Sequence, residues 1–247
     1  MTVVPSPRLL VIIPAFNEQE ALPSVLDEIH ATLPEADVLV VNDGSTDRTS
    51  QVARRGDTMV LDLALNLGVG GAMRAGYRFA SREGYDVAVQ VDADGQHDPA
   101  DVRRVLDGLT DQDADVVIGA RFTGRGTYAV RGPRRWAMGV LAVLLSRIAG
   151  TRLVDTTSGF RASNRRAIEL FAAEYPAEYL GDTVEALVIA HRSGLAIRQV
   201  GVHMRARAAG APSQSPLKAA VFLGRAALAL LIAMTRPMAH PVRTESS

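Results

Sequence analysis

Five short apolar runs rich in valine and isoleucine punctuate the first half of the chain: RLLVIIPAF (8–16), ADVLVVND (36–43), DTMVLDL (57–63), YDVAVQVDAD (85–94) and ADVVIGARF (114–122). Longer stretches with helical spacing separate them, at 18–32, 46–55, 71–82 and 99–109. Strands that are apolar on both faces and alternate with helices are the mark of a parallel sheet covered on both sides. Right-handed crossovers then build a doubly wound, Rossmann-like, mostly parallel α/β sheet. In such a sheet ligands bind beyond the carboxyl ends of the strands.

The second half is less regular. RRWAMGVLAVLLSRIAG (134–150) predicts a helix, DTTSGFRASNRRAIELF (155–171) a turn or short strand and then a helix. TVEALVIAHRSG (183–194) predicts a helix, LAIRQVGVHM (195–204) a strand, and SPLKAAVFLGRAALALLIAMTRP (215–237) a last amphipathic helix. The longest uncharged apolar runs, 136–145 and 226–234, fall well short of the roughly 20 residues of a membrane span. Arginine or lysine flanks or interrupts each, so both a core helix and a helix lying in a membrane interface fit them.

Composition bounds this picture. At 247 residues and 47% hydrophobic, the chain can bury one sizeable core. It has no cysteine, which excludes disulfides, and its N-terminus has neither the basic nor the apolar region of a secretory signal. The formal net charge of zero hides a division: residues 1–120 carry 20 acidic and 9 basic side chains, residues 121–247 carry 7 and 18. Between 121 and 166 stand ten arginines opposed only by Asp155. Guanidinium suits forked contacts to phosphate, so the second half is expected to meet an anion.

Four polar or glycine-rich loops follow the first four strands: PAFNE (14–18), NDGSTD (42–47), NLGVGGA (66–72) and DADGQHD (92–98). Each has a structural duty open to it. Asp43 and Ser45 can close a turn and cap a helix, and Asp98-Pro99 is a cap followed by a first-turn proline. Together, on one predicted edge, they outline a binding site. Asp92 and Asp94 lie two residues apart at a strand end, so both are expected to project to the same side. Two carboxylates that close repel unless a cation lies between them. With the Gln96 carbonyl they make a hard oxygen set suited to Mg²⁺ or Mn²⁺ completed by substrate phosphates. His97 fits loop packing better than ligation of a hard ion. Glu18, Asp43 and the glycines at 68–71 would face the sugar and base of a nucleotide. The dinucleotide pattern G-x-G-x-x-G fails at Met73, which argues against a dehydrogenase.

VIIPAFNEQEAL, VVNDGSTDRT, NLGVGGAMRAGY, DADGQHDP, GARF and DTTSGFRA, in this order, resemble the motifs of family 2 glycosyltransferases of the GT-A fold, in particular their dolichyl- and polyprenyl-phosphate sugar synthase branch. The resemblance covers residues 8–210. It implies that Pro14, Phe16, Glu18 and Asp43 hold the nucleoside, with Phe16 where tyrosine is more usual. The Asp92-Ala93-Asp94 stretch and Gln96 would hold the metal against the donor diphosphate. Arg121, Arg134 or Arg135, and Arg161 would meet donor or acceptor phosphates, and Arg205 and Arg207 would belong to a late basic loop over the diphosphate. The resemblance also divides the chain into a GT-A domain at 1–212, with a nucleotide-sugar half (1–120) and an acceptor half (121–212), and a C-terminal amphipathic helix and tail at 213–247. Two departures stand out: GVGGA lacks the lysine many relatives carry, and the paired transmembrane helices of many relatives are missing.

The implied reaction is inverting displacement at the anomeric carbon of a GDP- or UDP-sugar, with the metal, Asp94 and Arg121 serving the departing diphosphate. A lipid phosphate is already ionised near neutral pH and needs no strong base. A hydroxyl acceptor does need one, and Asp182 or Glu185 stands where relatives of that kind place it; both also suit a helix start. The arginines of 121–166 favour polyprenyl phosphate at the cytoplasmic face of the membrane, with peripheral attachment by polybasic attraction and by a small membrane protein in place of the missing anchors. A hydroxyl acceptor in cell-envelope polysaccharide synthesis and a sugar-nucleotide pyrophosphorylase remain as alternatives. A nucleic-acid-binding module is disfavoured, because it has no use for the acidic edge.

Overall fold

The computed structural model describes residues 6–120, 146–147, 153–155, 158–176 and 182–205. Its seven strands are β1 (Leu9–Ala15), β2 (Asp37–Asn42), β3 (Thr58–Asp62), β4 (Val87–Gln90), β5 (Val116–Ala120), β6 (Arg161–Asn164) and β7 (Ile197–Gly201). They form one sheet in the order β3-β2-β1-β4-β6-β5-β7. The helices are α1 (Leu22–Thr32), α2 (Thr49–Ala53), α3 (Gly68–Glu83), α4 (Val102–Asp111), α5 (Arg165–Glu174) and α6 (Asp182–Arg192), with a 3-10 turn at Pro99–Asp101 ahead of α4.

Strand centres follow the apolar runs closely because those runs are buried on both faces. In β1, Leu10 and Ile12 join one core cluster while Val11 and Ile13 join the other. The first cluster packs α3, α5 and α6 on one side of the sheet through Met73, Tyr77, Ile168, Phe171 and Leu187. The second packs α1 and α4 on the other through Leu22, Val25, Ile29, Val105 and Leu109. At roughly 1.5–3 kcal/mol for each large apolar side chain buried, these two layers carry the stability of the fold.

One strand departs from the doubly wound scheme. β1 to β4 are parallel, and β7 is parallel to β5, but β6 runs antiparallel to both of its neighbours, β4 and β5. The sheet is therefore mixed, and the reversal matters for the site. A strand inserted backwards brings its beginning, not its end, to the carboxyl edge of β4 and β5, so Ser158–Phe160 arrives there. At the opposite edge buried Asp115 ties three elements, accepting from Asn164 Nδ2 at 2.9 Å, Arg166 Nη1 at 3.0 Å and the Ala196 N–H at 2.8 Å. Among the described residues no helix is long and apolar enough to cross a membrane. The helix expected at 215–237 lies outside the described residues, as does that at 134–150 apart from residues 146–147.

Candidate functional site

The loops beyond β1 and β2 are laced together by short polar side chains. Phe16 is 45% exposed, and Asn17 adopts a φ of +55°, left-handed backbone that asparagine tolerates better than most residues. The Asn17 N–H donates to Ser45 Oγ at 2.9 Å, and Asn17 Oδ1 accepts the Thr46 N–H at 2.9 Å. The Glu18 N–H donates to Thr49 Oγ1 at 2.9 Å and the Gln19 N–H to Asp47 Oδ2 at 3.2 Å. Burial pushes the Asp47 carboxyl up, but the hydrogen bonds from Thr49 and Gln19 outweigh it and hold the group below its ordinary value. Ser45, Asp47 and Thr49 thus fix the β1 loop in place.

Asp43 works in the other direction, toward α3. Its N–H donates to the Ala15 carbonyl at 2.9 Å, and its Oδ1 accepts the Leu67 N–H at 2.7 Å, just ahead of the helix. The residue is buried, and burial raises its pKa, with the Leu67 and Gly68 amides pulling the other way. Gly44 makes the contact possible. Its φ is +68°, and a Cβ there would lie 2.8 Å from both Asn66 N and Leu65 C, so only glycine lets the two loops touch. The result is a buried carboxylate flanked by half-buried Pro14, exposed Phe16 and the amino end of a sixteen-residue helix.

The acidic stretch sits differently from the sequence expectation. β4 ends at Gln90, so Asp92-Ala93-Asp94 lies on a turn and the alternation of a strand does not govern it. Gly95 takes a φ of +74°, and Asp94 Oδ1 accepts the Gln96 N–H at 3.0 Å, closing the turn from within. Asp94 and Ala93 are buried, whereas the Asp92 side chain is 37% exposed. His97 is 3% exposed, stacks on Phe160 with ring centroids 4.8 Å apart, and accepts the Asp92 N–H on Nδ1 at 3.0 Å. Its Nε2 then faces Asp92 Oδ2 at 3.5 Å. His97 is thus a packing and orienting residue.

Two features at this edge escaped sequence reasoning. Gln90, read only as part of an apolar run, donates from Nε2 to Asp92 Oδ1 at 3.1 Å. Gly159, delivered by the reversed β6, passes so close that a Cβ would lie 2.7 Å from Gln90 Nε2 and 3.0 and 3.1 Å from the Asp92 oxygens. The glutamine inside VAVQV and the glycine of SGF were the only signals available, and neither says where β6 inserts.

The basic residues divide. Arg205 donates its N–H to the Gln96 carbonyl at 2.9 Å, beside the His97–Met204 bridge, but its guanidinium is held by Glu28 Oε2 at 2.5 Å and Asp98 Oδ1 at 2.9 Å. Those carboxylates, Glu28 first, raise its pKa further. In this arrangement it ties β7 to the acidic loop, and meeting a diphosphate requires both ion pairs to part. Arg161 is fully buried, with Nη2 donating to the Ser158 carbonyl at 2.8 Å, so a phosphate contact from it requires the 158–160 turn to open. Arg121, Arg134, Arg135 and Arg207 lie outside the described residues. Asp182 opens α6, and half-buried Glu185 lies in that helix's first turn.

Among the described residues no three His, Asp or Glu side chains converge as a cation cage. Asp92 and Asp94 nonetheless fit a Mg²⁺ or Mn²⁺ site of the shared kind, in which substrate phosphate oxygens fill positions the protein leaves open. The Asp92 carboxylate is approached from behind by Gln90, His97 and Gly159 and stays partly open in front.

This architecture is that of a GT-A domain. The chain superposes on glucosyl-3-phosphoglycerate synthase from Mycobacterium tuberculosis, crystallised with Mn²⁺, UDP and phosphoglyceric acid, with a TM-score of 0.71. That likeness covers 94% of this chain and 80% of the other at 21% identity, and is one of fold. Residues 10–171 match glycosyl transferase family 2, and the chain belongs to that family. It is 38% identical over 175 residues to a polyprenol monophosphomannose synthase of Mycolicibacterium smegmatis, covering 68% of this chain and 66% of the relative, just under two thirds of its length. An undecaprenyl-phosphate mannosyltransferase of Micrococcus luteus is 39% identical over 176 residues, covering 68% and 72% of the two chains.

Proposed function

We propose that this chain transfers a sugar, with inversion, from a nucleotide-diphosphate donor to the phosphate of a polyprenyl lipid. The observation that carries the reading is the acidic turn that follows β4 and the buried Asp43 that follows β2, on one edge of a GT-A sheet, in a chain whose 38–39% identical relatives are named for polyprenyl-phosphate mannosyl transfer. A mannosyl donor is accordingly the first to test.

Phe16 and Pro14 offer the nucleoside an apolar surface, Asp43 presents a carboxylate to its N–H or hydroxyl groups, and Glu18 stands beside them. Asp92 and Asp94, with the Gln96 side-chain oxygen, would hold Mg²⁺ or Mn²⁺, which when bound neutralises charge on the departing diphosphate. Arginines drawn from Arg121, Arg134, Arg135 and Arg207 would meet donor or acceptor phosphates and stabilise the charge that develops between them. The acceptor phosphate, largely ionised near pH 7, attacks the anomeric carbon as the diphosphate oxygen leaves, so no side chain need remove a proton. The protein works at the cytoplasmic face of the membrane, peripherally attached, and a small membrane protein supplies the anchor.

The test offers purified protein labelled GDP- and UDP-sugars with Mn²⁺ or Mg²⁺, with and without undecaprenyl phosphate. Label should enter the organic phase only with the lipid. Nucleotide release without lipid product would move the acceptor to a hydroxyl and make Asp182 or Glu185 the base. Silence in the purified system and in native membranes alike would refute the reading.

A further inference from the structure

Gln90 ends β4, is 2% exposed, and shares a sheet face with Ala88, toward α3. Its carboxamide is half used. Nε2 donates to Asp92 Oδ1 at 3.1 Å, while the buried Oε1 has no hydrogen-bond partner among the described residues. Directly across the ladder its Cα partner is Arg161 of β6. That guanidinium is fully buried and spends one nitrogen on the Ser158 carbonyl, while Nε and Nη1 also lack partners among the described residues. A buried acceptor without a donor and two buried donors without an acceptor therefore stand on paired residues of adjacent strands. Buried polar groups are rarely left unpaired, and a buried cation with open N–H groups is costlier still.

The orientation of the amide is not free. Reversing it would turn Oε1 against the Asp92 carboxylate, and the Gly159 backbone leaves no room on the open side, since a Cβ there would already lie 2.7 Å from Nε2. The oxygen must remain on the side away from Asp92. We propose that Gln90 is a positioning residue that couples Arg161 to Asp92: an Arg161 N–H closes onto Gln90 Oε1 while Gln90 Nε2 holds Asp92 Oδ1, presenting the carboxylate's outward lone pairs to the divalent ion. A guanidinium on the carbonyl side polarises the amide and strengthens its N–H as a donor. His97 steadies the other oxygen, so each oxygen of Asp92 is approached from behind by one protein N–H and keeps a lone pair for the cation. The inference rests on the reading that Asp92 holds the metal. It gives Arg161 a task that needs no opening of the 158–160 turn.

The experiment measures Mn²⁺ binding by electron paramagnetic resonance on the full chain, with UDP and GDP present, for the native protein and for Gln90→Met, Arg161→Met, the double variant and Asp92→Ala. Thermal melting and metal-free nucleotide affinity are recorded alongside. Gln90→Met conserves volume and removes the amide, and should weaken Mn²⁺ by about 10- to 100-fold, the usual effect of losing a group that orients a metal ligand, with metal-free nucleotide affinity unchanged. Arg161→Met should melt at an equal or higher temperature, because the desolvation cost of a buried charge is gone, yet also weaken Mn²⁺. The double variant should bind no worse than Gln90→Met alone, since the chain of bonds is already broken.

Native Mn²⁺ affinity in a folded Gln90→Met would overturn the inference while leaving the metal reading intact. So would an Arg161→Met that melts lower and binds Mn²⁺ normally, the result of a purely structural role; this variant also decides the matter if Gln90→Met does not fold. Equal Mn²⁺ binding by the native protein and Asp92→Ala would overturn the metal reading and the inference with it.

Discussion

Replacing Asp43 by asparagine separates what the carboxylate does for the fold from what it does for a ligand. In the structure Oδ1 accepts the Leu67 N–H at 2.7 Å, and asparagine can accept the same bond. What goes is the charge: the bond loses the assistance an anion gives, about 1 kcal/mol, while the cost of burying that anion also disappears. The two effects oppose each other, so stability near neutral pH should stay within about 1 kcal/mol of native. Alanine, by contrast, leaves the Leu67 amide without its acceptor and should lose about 1–3 kcal/mol. The pH dependence has a definite sign. Burial raises the folded pKa of Asp43 above its ordinary 3.8, so the stability linked to its proton is fully present below that value and is lost as pH rises through the folded pKa. Asparagine does not titrate, and the stability of Asp43→Asn relative to native should therefore improve across that window. Urea unfolding at a series of pH values between about 3.5 and 7 measures this, and calorimetry measures nucleotide binding. Binding should weaken by about 10- to 100-fold if the carboxylate accepts a ligand N–H, the equivalent of a charged hydrogen bond worth about 1.5–3 kcal/mol. An Asp43→Asn protein as unstable as the alanine variant, or a stability gap that worsens as pH rises, would refute this account.

Asp92→Ala and Asp94→Ala should each fold but lose about 1–3 kcal/mol, since Gln90 Nε2 and the Gln96 N–H lose their acceptors, and should lose transfer by about 10³-fold or more; full activity in either removes the metal assignment. Gly159→Ala should drive Gln90 off Asp92, costing about 1–3 kcal/mol in unfolding experiments and most of the Mn²⁺ affinity. Asp115→Ala, at the edge away from the acidic turn, should destabilise by about 3 kcal/mol by freeing the Asn164 and Ala196 donors, and transfer per folded molecule should fall severalfold even in assays kept well below the melting temperature.

The sequence made much of this legible because the chain states its parallel strands plainly. The centres of RLLVIIPAF and ADVLVVND are buried on both faces, and no amphipathic alternative competes for them. The four ligand loops were placed by the rule that such strands deliver their ends to one edge. Strand β6 was not legible in the same way. RASN is short and mostly polar, and its partners are fixed by the space left between β4 and β5, a tertiary fact with no local pattern. The same blindness hid Gln90, whose role appears only when Gly159 and Arg161 are set beside it. Arg205 was assigned by resemblance to a basic loop over a diphosphate, whereas Glu28, 177 positions earlier in the chain, holds its guanidinium in the structure.

The reversed strand also acts as a gauge. The turn that leads into it sets Gly159 against the Asp92 oxygens, and its tail sets Asn164 against Asp115, with a strand of four residues to span the two. Slipping by one position would turn every side chain to the other face and spoil both ends at once. The geometry of the acidic turn is thereby checked at a distance: the fold cannot satisfy the far edge unless the near edge is also in step. Substitutions that blur the remote anchor should broaden the spread of geometries at the acidic turn before they unfold anything. Variation at Asp115, Asn164 and Arg166 is then a way to detune the acidic turn without touching a single residue on it.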